Sequence, residues 1–511
     1  MKVVLISTYE LGHQPFGLAS PAAWLRRSGA EVTCLDLSRQ PLQEEVVRAA
    51  DVVAFYVPMH TATRLAIRLI DPVRRLNARA HLCFYGLYAP VNEAYLRRLG
   101  VEMIIGGEFE AALADTIEQF GDKRGKQHDG NGSQVTSSAA EGHNPISLDR
   151  LDFILPDRAQ LPPLREYAHL LMPEGGFKVA GYTEASRGCK HLCRHCPIVP
   201  VYNGVFRIVQ REVVLEDIRQ QVDAGAEHIS FGDPDFFNGP THALAIVEAV
   251  HREFPRLSYD VTIKIEHLLG HAGHLRKLRD TGCLFVTSAV ESVDDSILAR
   301  LAKGHTRADF LTVVARFREL GLILQPTFVP FTPWTSPSGY RELLALVADQ
   351  DLIENVASIQ LGIRLLIPAG SRLLELEEVR NAIGDFDSSG LVYRWKHTDA
   401  RMDMLSERVQ ELASAGDRLK RSRTDIFTRI WQSANELAGE KPHRDGAPNV
   451  PTRKIPHFTE PWYCCAEPTQ EQFISIAAPA AQSQPRPNLQ PSDSRRSQQH
   501  SQQSVRADAF L

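Results

Sequence analysis

The alternation of short β-branched runs with helical segments constrains the fold of this chain most strongly. Residues 1–120 contain five candidate strands, namely KVVLIS, EVTCLDL, DVVAFYV, HLCFYG and VEMIIGG, with apolar residues at helical spacing between them. Strands separated by helices in this way form a parallel sheet that is covered by helices on both faces. The five units predict an α/β domain of the flavodoxin-like, doubly wound type.

A second alternating series occupies residues 175–385. Its candidate strands are VAGYTEAS, HISFGDP, SYDVTIKIEH, CLFVTSAVE, LILQPTFVPF and ASIQLGIRLLI, and helix-like stretches follow them. Six βα units are too few for a closed eight-stranded barrel. The series therefore predicts a partial (β/α)6 barrel.

The other segments have compositions that set them apart from the two series. Residues 121–146 are polar and glycine-containing, which predicts a linker. Residues 386–468 predict a helical region with a break at Gly416, followed by an extended tail. Residues 469–511 are rich in Gln, Ser, Pro and Arg and carry few large apolar side chains, so we expect them to be disordered.

Composition excludes several classes of protein. The net charge of −5 over 511 residues gives no electrostatic reason to expect nucleic acid as a partner. No run approaches the roughly 20 apolar residues of a membrane span, and the N-terminal residues lack the pattern of a signal peptide. We therefore expect a cytoplasmic protein. Its eight cysteines include one tight cluster and one adjacent pair, which indicates metal or redox chemistry rather than disulfides.

The tight cluster is formed by Cys189, Cys193 and Cys196 in the spacing C-x3-C-x2-C, directly after the first candidate strand of the second series. Thiolates are the usual ligands of iron–sulfur clusters, and three cysteines leave one iron of a [4Fe-4S] cubane without a protein ligand. His191 or His195 could instead complete a Cys3His zinc site. The spacing alone leaves both readings open, and the position at the end of a barrel strand favours catalysis.

The string EASRGCKHLCRHCPIVP, after the first strand of a six-fold βα series, resembles the radical S-adenosylmethionine (SAM) superfamily. The resemblance implies that SAM chelates the open iron and that an electron from the cluster cleaves SAM to methionine and a 5′-deoxyadenosyl radical. It further implies hydrogen abstraction or methyl transfer on a small-molecule or peptide substrate. An external electron donor such as flavodoxin or ferredoxin would supply the electron.

The resemblance also implies SAM contacts on two later strands. Gly232 and Asp233 stand where the superfamily places a Gly-Gly-Glu-like element that binds the methionine ammonium, although Pro234 supplies no N–H. The string GDPD is also a good turn sequence. Glu291 and Ser292 resemble a Glu-Ser element that lies near the ribose or methionine of SAM, and Ser292 also suits a helix N-cap.

Other side chains are candidates for the same site. His195 stands where the superfamily presents a side chain to adenine, and Arg364 could neutralise the carboxylate of SAM or a substrate anion. Lys264 and Glu266 alternate along the third candidate strand, so we expect them to share one face of it. They would pair either inside the barrel or as a surface ion pair.

A doubly wound domain before the barrel resembles the arrangement of cobalamin-dependent radical SAM enzymes. Ligands of such domains bind beyond the carboxyl ends of the strands. The Asp-x-His-x-x-Gly signature of cobalt ligation is absent, and His13 lies in GHQPFG at a different spacing. Cobalamin bound without a protein ligand to cobalt and a degenerate domain kept for packing or substrate capture both stay open.

The adjacent cysteines, Cys464 and Cys465, lie in the string WYCCAEP. The string resembles a radical SAM subfamily recognised by a Cys-Cys-Ala-Glu-Pro or Cys-selenocysteine-Ala-Glu-Pro tail. Exchange of selenocysteine for cysteine indicates a nucleophile, a hydrogen donor or a redox pair. An inert pair and ligands to a second metal are the alternatives. For the whole chain, the alternative function is a non-catalytic metal-binding or redox-sensing protein.

Overall fold

The structure is a computed structural model that describes residues 1–127, 144–437, 454–460 and 473. Its architecture is α/β, with a parallel sheet at the N-terminus, a curled half barrel after it and a helical region near the C-terminus. The predicted fold class is therefore confirmed. No helix in the described ranges combines the length and the apolar character that a membrane crossing needs.

The N-terminal domain is a six-stranded sheet whose order is β2-β1-β3-β4-β5-β6. Its strands are β1 Lys2–Ser7, β2 Glu31–Asp36, β3 Val52–Tyr56, β4 His81–Tyr85, β5 Met103–Gly107 and β6 Ile146–Ser147. Its helices are α1 Phe16–Arg27, α2 Glu44–Ala49, α3 His60–Ile67, α4 Ile70–Leu76, α5 Tyr88–Val91, α6 Glu93–Arg98 and α7 Phe109–Gln127. The first five strands have the flavodoxin-like order 2-1-3-4-5.

Burial on both faces explains why these strands are almost continuously apolar. Along β1, Val4 and Ile6 pack into one core, while Val3 and Leu5 pack into a second core on the opposite face of the sheet. Successive side chains of a strand point to opposite faces, so a sheet covered on both sides needs apolar residues at every position.

The region predicted as a linker is partly regular structure. Helix α7 continues to Gln127, and Ile146 pairs with Gly106 of β5 as part of a short parallel strand. Lys and Gln are good helix formers, and each of the two glycines in residues 121–127 costs the helix only about 1 kcal/mol, so a polar composition does not end a helix by itself.

The second domain is a seven-stranded curled sheet with the order β14-β13-β12-β11-β8-β7-β17, in which β17, His457–Phe458, comes from near the C-terminus. Its other strands are β7 His169–Leu171, β8 Phe177–Thr183, β11 His228–Phe231, β12 Ser258–Thr262, β13 Cys283–Glu291 and β14 Ile323–Phe328. Two further strands, β9 Ser186–Gly188 and β10 Phe206–Ile208, form a separate antiparallel hairpin beside the sheet. Its helices are α8 Val199–Tyr202, α9 Arg211–Asp223, α10 Pro240–Glu253, α11 Ile265–Gly270, α12 Leu275–Asp280, α13 Asp295–Arg300, α14 Arg307–Leu320 and α15 Pro337–Asp349.

The sixth unit of the half barrel is reduced to a single parallel bridge between Phe331 and Arg364. The predicted sixth strand begins instead as a short 3-10 helix, Ser358–Leu361. The bridge is confined to Phe331 because Pro330 and Pro333 on either side of it supply no N–H to a ladder.

The C-terminal region adds a hairpin and two long helices. Its elements are α16 Glu377–Ala382, β15 Ile383–Asp387, β16 Val392–Trp395, α17 Ala400–Arg418, α18 Arg423–Leu437 and β17 His457–Phe458. The break predicted at Gly416 lies a few residues later, because α17 continues through Gly416 to Arg418 and α18 begins at Arg423. An ideal Cβ at Gly416 would lie 2.5 Å from Cδ1 of Ile426, so the glycine allows α18 to pack closely against α17.

Residues 454–460, which we call the strap, cross the half barrel. The carbonyl of Pro456 accepts a hydrogen bond from Nε2 of Gln325 on β14 at 2.9 Å. At the other end, the N–H of Thr459 donates to the carbonyl of His169 on β7 at 2.9 Å. Between these anchors the ring of Phe458 packs 6.2 Å from that of Phe285. The strap thus joins the two edges of the open sheet.

Candidate active site

The loop that carries the three clustered cysteines starts from the hairpin of β9 and β10. Gly188 has a φ of +72°, and an ideal Cβ there would lie 2.5 Å from the carbonyl oxygen of Val205. Glycine is therefore required directly before Cys189. The N–H of Cys189 donates to the same carbonyl at 3.2 Å, which ties the start of the loop to the hairpin. The loop lies beyond the carboxyl end of β8, the end at which βα barrels carry their chemistry.

The three cysteines lie together and none is in a disulfide. Burial raises the pKa of Cys189 to about 11 and the pKa of Cys196 to about 12, and the charge of Cys193 adds to both shifts. Neighbouring buried thiols oppose each other's ionisation, and a cationic, thiophilic group relieves that cost. The donor set therefore fits an iron–sulfur cluster held by Cys189, Cys193 and Cys196.

His191 and His195 have different surroundings. The ligand atoms of Cys189, His191 and Asp235 lie within 4.8 Å of one another, so His191 is the histidine that a zinc site would use. Nε2 of His195 instead lies 3.1 Å from Oε1 of Glu291. The structure thus brings together two predicted SAM contacts that are far apart in the sequence.

Glu291 is buried and charged at the end of β13. Burial alone would raise its pKa, but Lys303, with Nζ 3.4 Å from Oε1, and the hydrogen bond to His195 lower the pKa to about 2. Its φ of +70° lies in the left-handed region, which is uncommon for a glutamate. Lys303 is itself buried, and its charge lowers the pKa of Cys196 after burial and Cys193 have raised it. A buried cation therefore stands between Glu291 and the cysteines.

Both carboxylate oxygens of Asp233 accept hydrogen bonds from other residues of the chain. Oδ1 accepts from Oγ of Ser186 at 2.5 Å, and Oδ2 accepts from the N–H of Ala185 at 2.9 Å. Burial raises the pKa of Asp233 to about 7 despite these bonds. The side chain fixes the segment that leads into the cysteine loop. At neighbouring Gly232, an added Cβ would collide with the hydroxyl of Tyr182, so a larger residue does not fit.

Asp235 lies two residues after Asp233 in the loop that follows β11. Sequence analysis did not predict it as a site residue. Its Oδ2 lies 2.8 Å from Nδ1 of His267 and 3.6 Å from Nε2 of His191. Burial opposes ionisation, but the two neighbouring histidines lower the pKa of Asp235 below its usual value. The string GDPD holds two aspartates at alternating positions, and only the structure shows which one faces the cysteine loop.

Lys264 and Glu266 form an ion pair, with Nζ 2.8 Å from Oε2, but not on a strand. Strand β12 ends at Thr262, and α11 begins at Ile265. The expectation that they share a strand face is therefore wrong, and the helical turn brings them together instead. Nζ of Lys264 also lies 3.2 Å from Nδ1 of His191, so the pair adjoins the cysteine loop.

Ser292 and Arg364 have partners within the chain. Oγ of Ser292 accepts from the N–H of Asp294, and Asp294 is the N-cap of α13. The guanidinium of Arg364 lies 2.7 Å from Oδ1 of Asp403 and 3.6 Å from the ring centre of Trp395. Their SAM contacts stay predictions, as do those of His195, Gly232, Asp233 and Glu291. The adjacent cysteines, Cys464 and Cys465, lie outside the described residues.

The inner face of the half barrel is small and polar near the cysteine loop. Thr262 pairs in register with Thr287, and Ala289 pairs with Thr327. Their strand neighbours Val261, Val286, Val290, Leu324 and Phe328 belong to the core under the helices. Alternation therefore turns the small residues to the inside, where they leave room for a ligand.

Comparison with known proteins favours the iron–sulfur reading of the cysteine cluster over the zinc reading. Residues 183–332 match the model of the Radical SAM superfamily, and this range contains the three clustered cysteines. The chain carries a radical SAM domain. Enzymes of this superfamily use a [4Fe-4S] cluster and SAM, and the matched domain spans the strands from the end of β8 to β14.

Two similar proteins of known name are a methylase and a methylthiotransferase. A hopanoid C-3 methylase of Methylococcus capsulatus is 26% identical over 331 residues, which are 63% of this chain and 62% of the methylase. The threonylcarbamoyladenosine tRNA methylthiotransferase MtaB of Thermotoga maritima is 22% identical over 50% of this chain and 52% of that enzyme. The chain thus spans less than two thirds of the length of either relative.

Two solved structures share the fold. The cobalamin-dependent S-adenosylmethionine radical enzyme OxsB with aqua-cobalamin bound has a TM-score of 0.64 at 15% identity, covering 85% of this chain and 72% of OxsB. The radical SAM methyltransferase TsrM of Kitasatospora setae, with tryptophan and a SAM analogue bound, has a TM-score of 0.55 at 16% identity, covering 74% of this chain and 76% of TsrM.

Proposed function

We propose that Cys189, Cys193 and Cys196 hold the [4Fe-4S] cluster of this radical SAM enzyme and leave one iron open for SAM. The observation that carries the proposal is the grouping of three free thiols, one buried and two half-buried, beyond the carboxyl end of β8. When bound, the cluster supplies the electron that cleaves SAM to methionine and a 5′-deoxyadenosyl radical. The protein's own residues bind SAM, orient it and exclude water.

We propose Asp235 as the acidic contact of the SAM ammonium. Its carboxylate is charged and lies beside Cys189, whereas both oxygens of Asp233 are used by Ala185 and Ser186. Asp233, together with the close packing at Gly232, would then act by fixing the loop. Asp233 and Asp235 thus both belong to the proposed site, but they have different roles.

We propose that Glu291, His195 and Lys303 form the second wall of the SAM site. Glu291 stays ionised and can accept hydrogen bonds, while Lys303 is a buried cation suited to the carboxylate of SAM. Ser292 would support this wall through the turn that it makes before α13. Arg364 is already neutralised by Asp403, so a role with SAM would need that ion pair to open.

The substrate would enter the half barrel beside the small inner residues Thr262, Thr287 and Thr327. Their size leaves room, and their hydroxyls offer hydrogen bonds to a small molecule or to a peptide side chain. The reaction is hydrogen abstraction or methyl transfer. The named activities of the methylase and of TsrM favour methyl transfer, and the products distinguish the two classes.

The test is product analysis after anaerobic reconstitution with iron and sulfide, addition of SAM and chemical reduction. Wild type should form 5′-deoxyadenosine, and Cys193→Ala should form none. Cys283→Ala is the matched control, because Cys283 is equally buried but lies on β13 outside the cluster loop. S-adenosylhomocysteine in addition would indicate methyl transfer. Stoichiometric zinc without SAM cleavage would instead support the non-catalytic metal-binding alternative.

We further propose, from the sequence, that the adjacent cysteines Cys464 and Cys465 act on the substrate as a redox pair or hydrogen donor. The nearest described residue before them is Glu460, at the end of the strap. Replacing both cysteines with serine should stop substrate turnover while the iron content and uncoupled SAM cleavage stay unchanged. Undiminished product formation in that variant would exclude the role.

We also propose that the N-terminal domain binds cobalamin without a histidine ligand to cobalt. The fold and the cobalamin named in the OxsB structure support binding. His13 packs against the rings of Tyr182 and Phe458, at 4.9 and 5.4 Å, and burial lowers its pKa to about 4. Reconstituted protein should retain cobalamin by its absorption, and His13→Ala should retain the same amount. No retention in wild type would favour the degenerate domain.

The electron for the cluster would come from an external carrier such as flavodoxin or ferredoxin, and we propose that the enzyme works in the cytoplasm. Both statements rest on the sequence. Fractionation of cells that express the protein at its natural level would test the location, with membrane-free supernatant as the expected fraction.

A further inference from the structure

The inner face of the half barrel carries an acidic side chain, Asp260 on β12, that the proposed chemistry does not use. Its strand neighbours Tyr259 and Val261 belong to the core under the helices, so alternation turns Asp260 towards the lumen. Asp260 is only 8% exposed. Because burial of a carboxylate is costly, a group at this depth calls for a cation or hydrogen-bond donors around it.

The hydrogen bonds of Asp260 use only one of its two carboxylate oxygens. Oδ1 lies 2.9 Å from Nε2 of His228 and accepts from Oγ of Ser230 at 2.6 Å. Oδ2 has no hydrogen-bond partner in the described part of the chain, and it is not sealed off from the lumen. The two bonds fix the carboxylate in place and leave one oxygen for a donor that the chain does not supply.

No lysine or arginine among the described residues pairs with Asp260. Nζ of Lys178 donates instead to Oγ of Ser258, at 2.8 Å. Burial lowers the pKa of His13 to about 4, so its ring is uncharged at pH 7. His228 lies within ion-pair distance of Asp260, but an imidazole is charged only when it is protonated. A cationic group of a ligand would therefore meet a carboxylate that no fixed cation has neutralised.

Aromatic rings close the lumen beside Asp260. Phe285 pairs in register with Asp260, and its ring lies 6.1 Å from that of His228 and 6.2 Å from that of Phe458 in the strap. His228 is the first residue of β11, so these rings lie towards the amino ends of the strands. They exclude water, which strengthens a charge-assisted hydrogen bond. A ligand would therefore reach Asp260 from the carboxyl end, where the cysteine loop lies.

Polar side chains line the lumen between Asp260 and the cysteine loop. Thr262 pairs with Thr287, and Thr287 pairs with Gln325. The amide nitrogen of Gln325 donates to the strap, so its oxygen is left as an acceptor. Asp260 precedes the end of β12 by two residues, which is about 7 Å along the strand. An aliphatic amine several carbons long would span this depth and place its other carbons near the proposed SAM site.

The bonding of Asp260 favours an ammonium over a guanidinium. A guanidinium binds a carboxylate best through both oxygens at once. Oδ1 already accepts two hydrogen bonds, whereas an ammonium is a compact charge that needs only Oδ2. The other two N–H groups of an ammonium can donate to the threonine hydroxyls and to the amide oxygen of the layer above.

We propose that Asp260 is a specificity-determining residue of the half barrel and binds a primary ammonium at the end of an aliphatic chain. Free lysine and a lysine side chain of a peptide both offer this chemistry. The proposal rests on the proposed substrate site in the half barrel and names the class of substrate that the site accepts.

The test is anaerobic isothermal titration of the reconstituted enzyme with SAM bound. The ammonium probes are free lysine and N-acetyl-lysine amide. N-acetyl-norleucine amide has the same carbon chain without the amine, and N-acetyl-arginine amide carries a guanidinium. The variant is Asp260→Asn, which keeps the shape of the side chain. The matched control is Asp280→Asn, at a side chain that is 54% exposed after the half-barrel helix α12 has turned outwards.

We expect wild type to bind one of the ammonium probes about tenfold or more tightly than the norleucine and arginine probes. Tighter binding of N-acetyl-lysine amide would indicate a peptide substrate, and tighter binding of free lysine a small molecule. Asp260→Asn should lose this preference, and Asp280→Asn should keep it. The comparison of probes on wild type stands even if Asp260→Asn does not fold.

Three results would overturn the assignment of Asp260. They are wild-type affinities that do not distinguish the ammonium probes from the norleucine probe, tightest binding of the arginine probe, and an Asp260→Asn variant that folds and keeps the preference for ammonium. The last result would mean that Asp260 only supports the structure of the barrel. A wild-type protein that holds no cluster and cleaves no SAM would instead contradict the proposed function.

Discussion

Glu291 is ionised inside the protein because Lys303 and His195 offset the cost of its burial. Glu291 in turn stabilises the buried positive charge of Lys303, which lies next to the clustered cysteines. Each charge is therefore needed by the other. Replacing one of them leaves an uncompensated buried charge, whereas replacing both removes the problem.

The buried ion pair predicts non-additive stabilities for Glu291→Gln and Lys303→Met in the metal-free protein. Each single change should lower the free energy of unfolding in urea by about 3–5 kcal/mol, the usual cost of breaking a buried pair. The double variant should be clearly more stable than the sum of the single losses. Additive losses would mean that the two side chains do not act as a pair.

The same pair predicts a dependence of stability on pH. The folded pKa of Glu291 is about 2, below its ordinary 4.5, so its contribution is fully present above about pH 4.5 and is lost as pH falls towards 2. Urea unfolding of wild type and Glu291→Gln at several pH values measures this. The difference between them should shrink as the solution is acidified, and a constant difference would contradict the assigned charge.

The sequence could indicate single residues of the site but not their partners. The cysteine spacing and the glutamate after the fourth barrel strand were readable because each follows a local pattern. The contact of Glu291 with Lys303 depends on how α13 returns towards the cysteine loop. In the same way, only the fold shows that Asp233 is used by the backbone of Ala185 while Asp235 faces His191.

At the scale of elements, strands were predicted correctly where both faces of the strand are buried. The third barrel strand was extended too far, because TIKIEH alternates like a strand although Ile265 already begins α11. The sixth strand was expected from an apolar run, but prolines beside Phe331 limit its pairing to one bridge. The strap lies in a stretch that was expected to be extended, but its pairing with β7 was not predicted, since two paired residues leave no periodic signal.

The strap yields a prediction about stability. The ring of Phe458 packs against those of His13, His228 and Phe285, so Phe458→Ala should lower the free energy of unfolding by about 2–3 kcal/mol. The expected loss is below that of a fully buried phenylalanine because the residue is partly exposed. Met404→Ala, at a side chain that is 65% exposed, is the control and should change little. Equal effects of the two changes would show that the strap does not hold the open sheet together.

At the scale of the whole molecule, one buried arginine joins the two domains. Arg187 precedes Cys189 by two residues and bonds Glu110 at the start of α7 with both terminal nitrogens, at 2.6 and 2.8 Å. Its Nε donates to Glu184 at 2.6 Å, after the end of β8. The cysteine loop is thereby fastened to the carboxyl edge of the N-terminal sheet.

Arg187→Met should therefore loosen the whole molecule. It leaves the carboxylates of Glu110 and Glu184 buried without their cation, and we expect a loss of about 3–5 kcal/mol in urea unfolding. Amide hydrogen exchange should rise at the start of α7 and in the cysteine loop together. Arg219→Met removes an ion pair on the surface and is the control, for which little change is expected. Faster exchange in the cysteine loop alone would contradict the link between the domains.

The most direct measurement of the central claim is electron paramagnetic resonance of the reduced, reconstituted protein with and without SAM. Three cysteine ligands leave one iron open, so the account predicts a [4Fe-4S] signal whose shape changes when SAM is added. It predicts no such signal from Cys189→Ala or Cys193→Ala. A signal that SAM leaves unchanged, or a protein that takes up zinc in place of the cluster, would contradict the account.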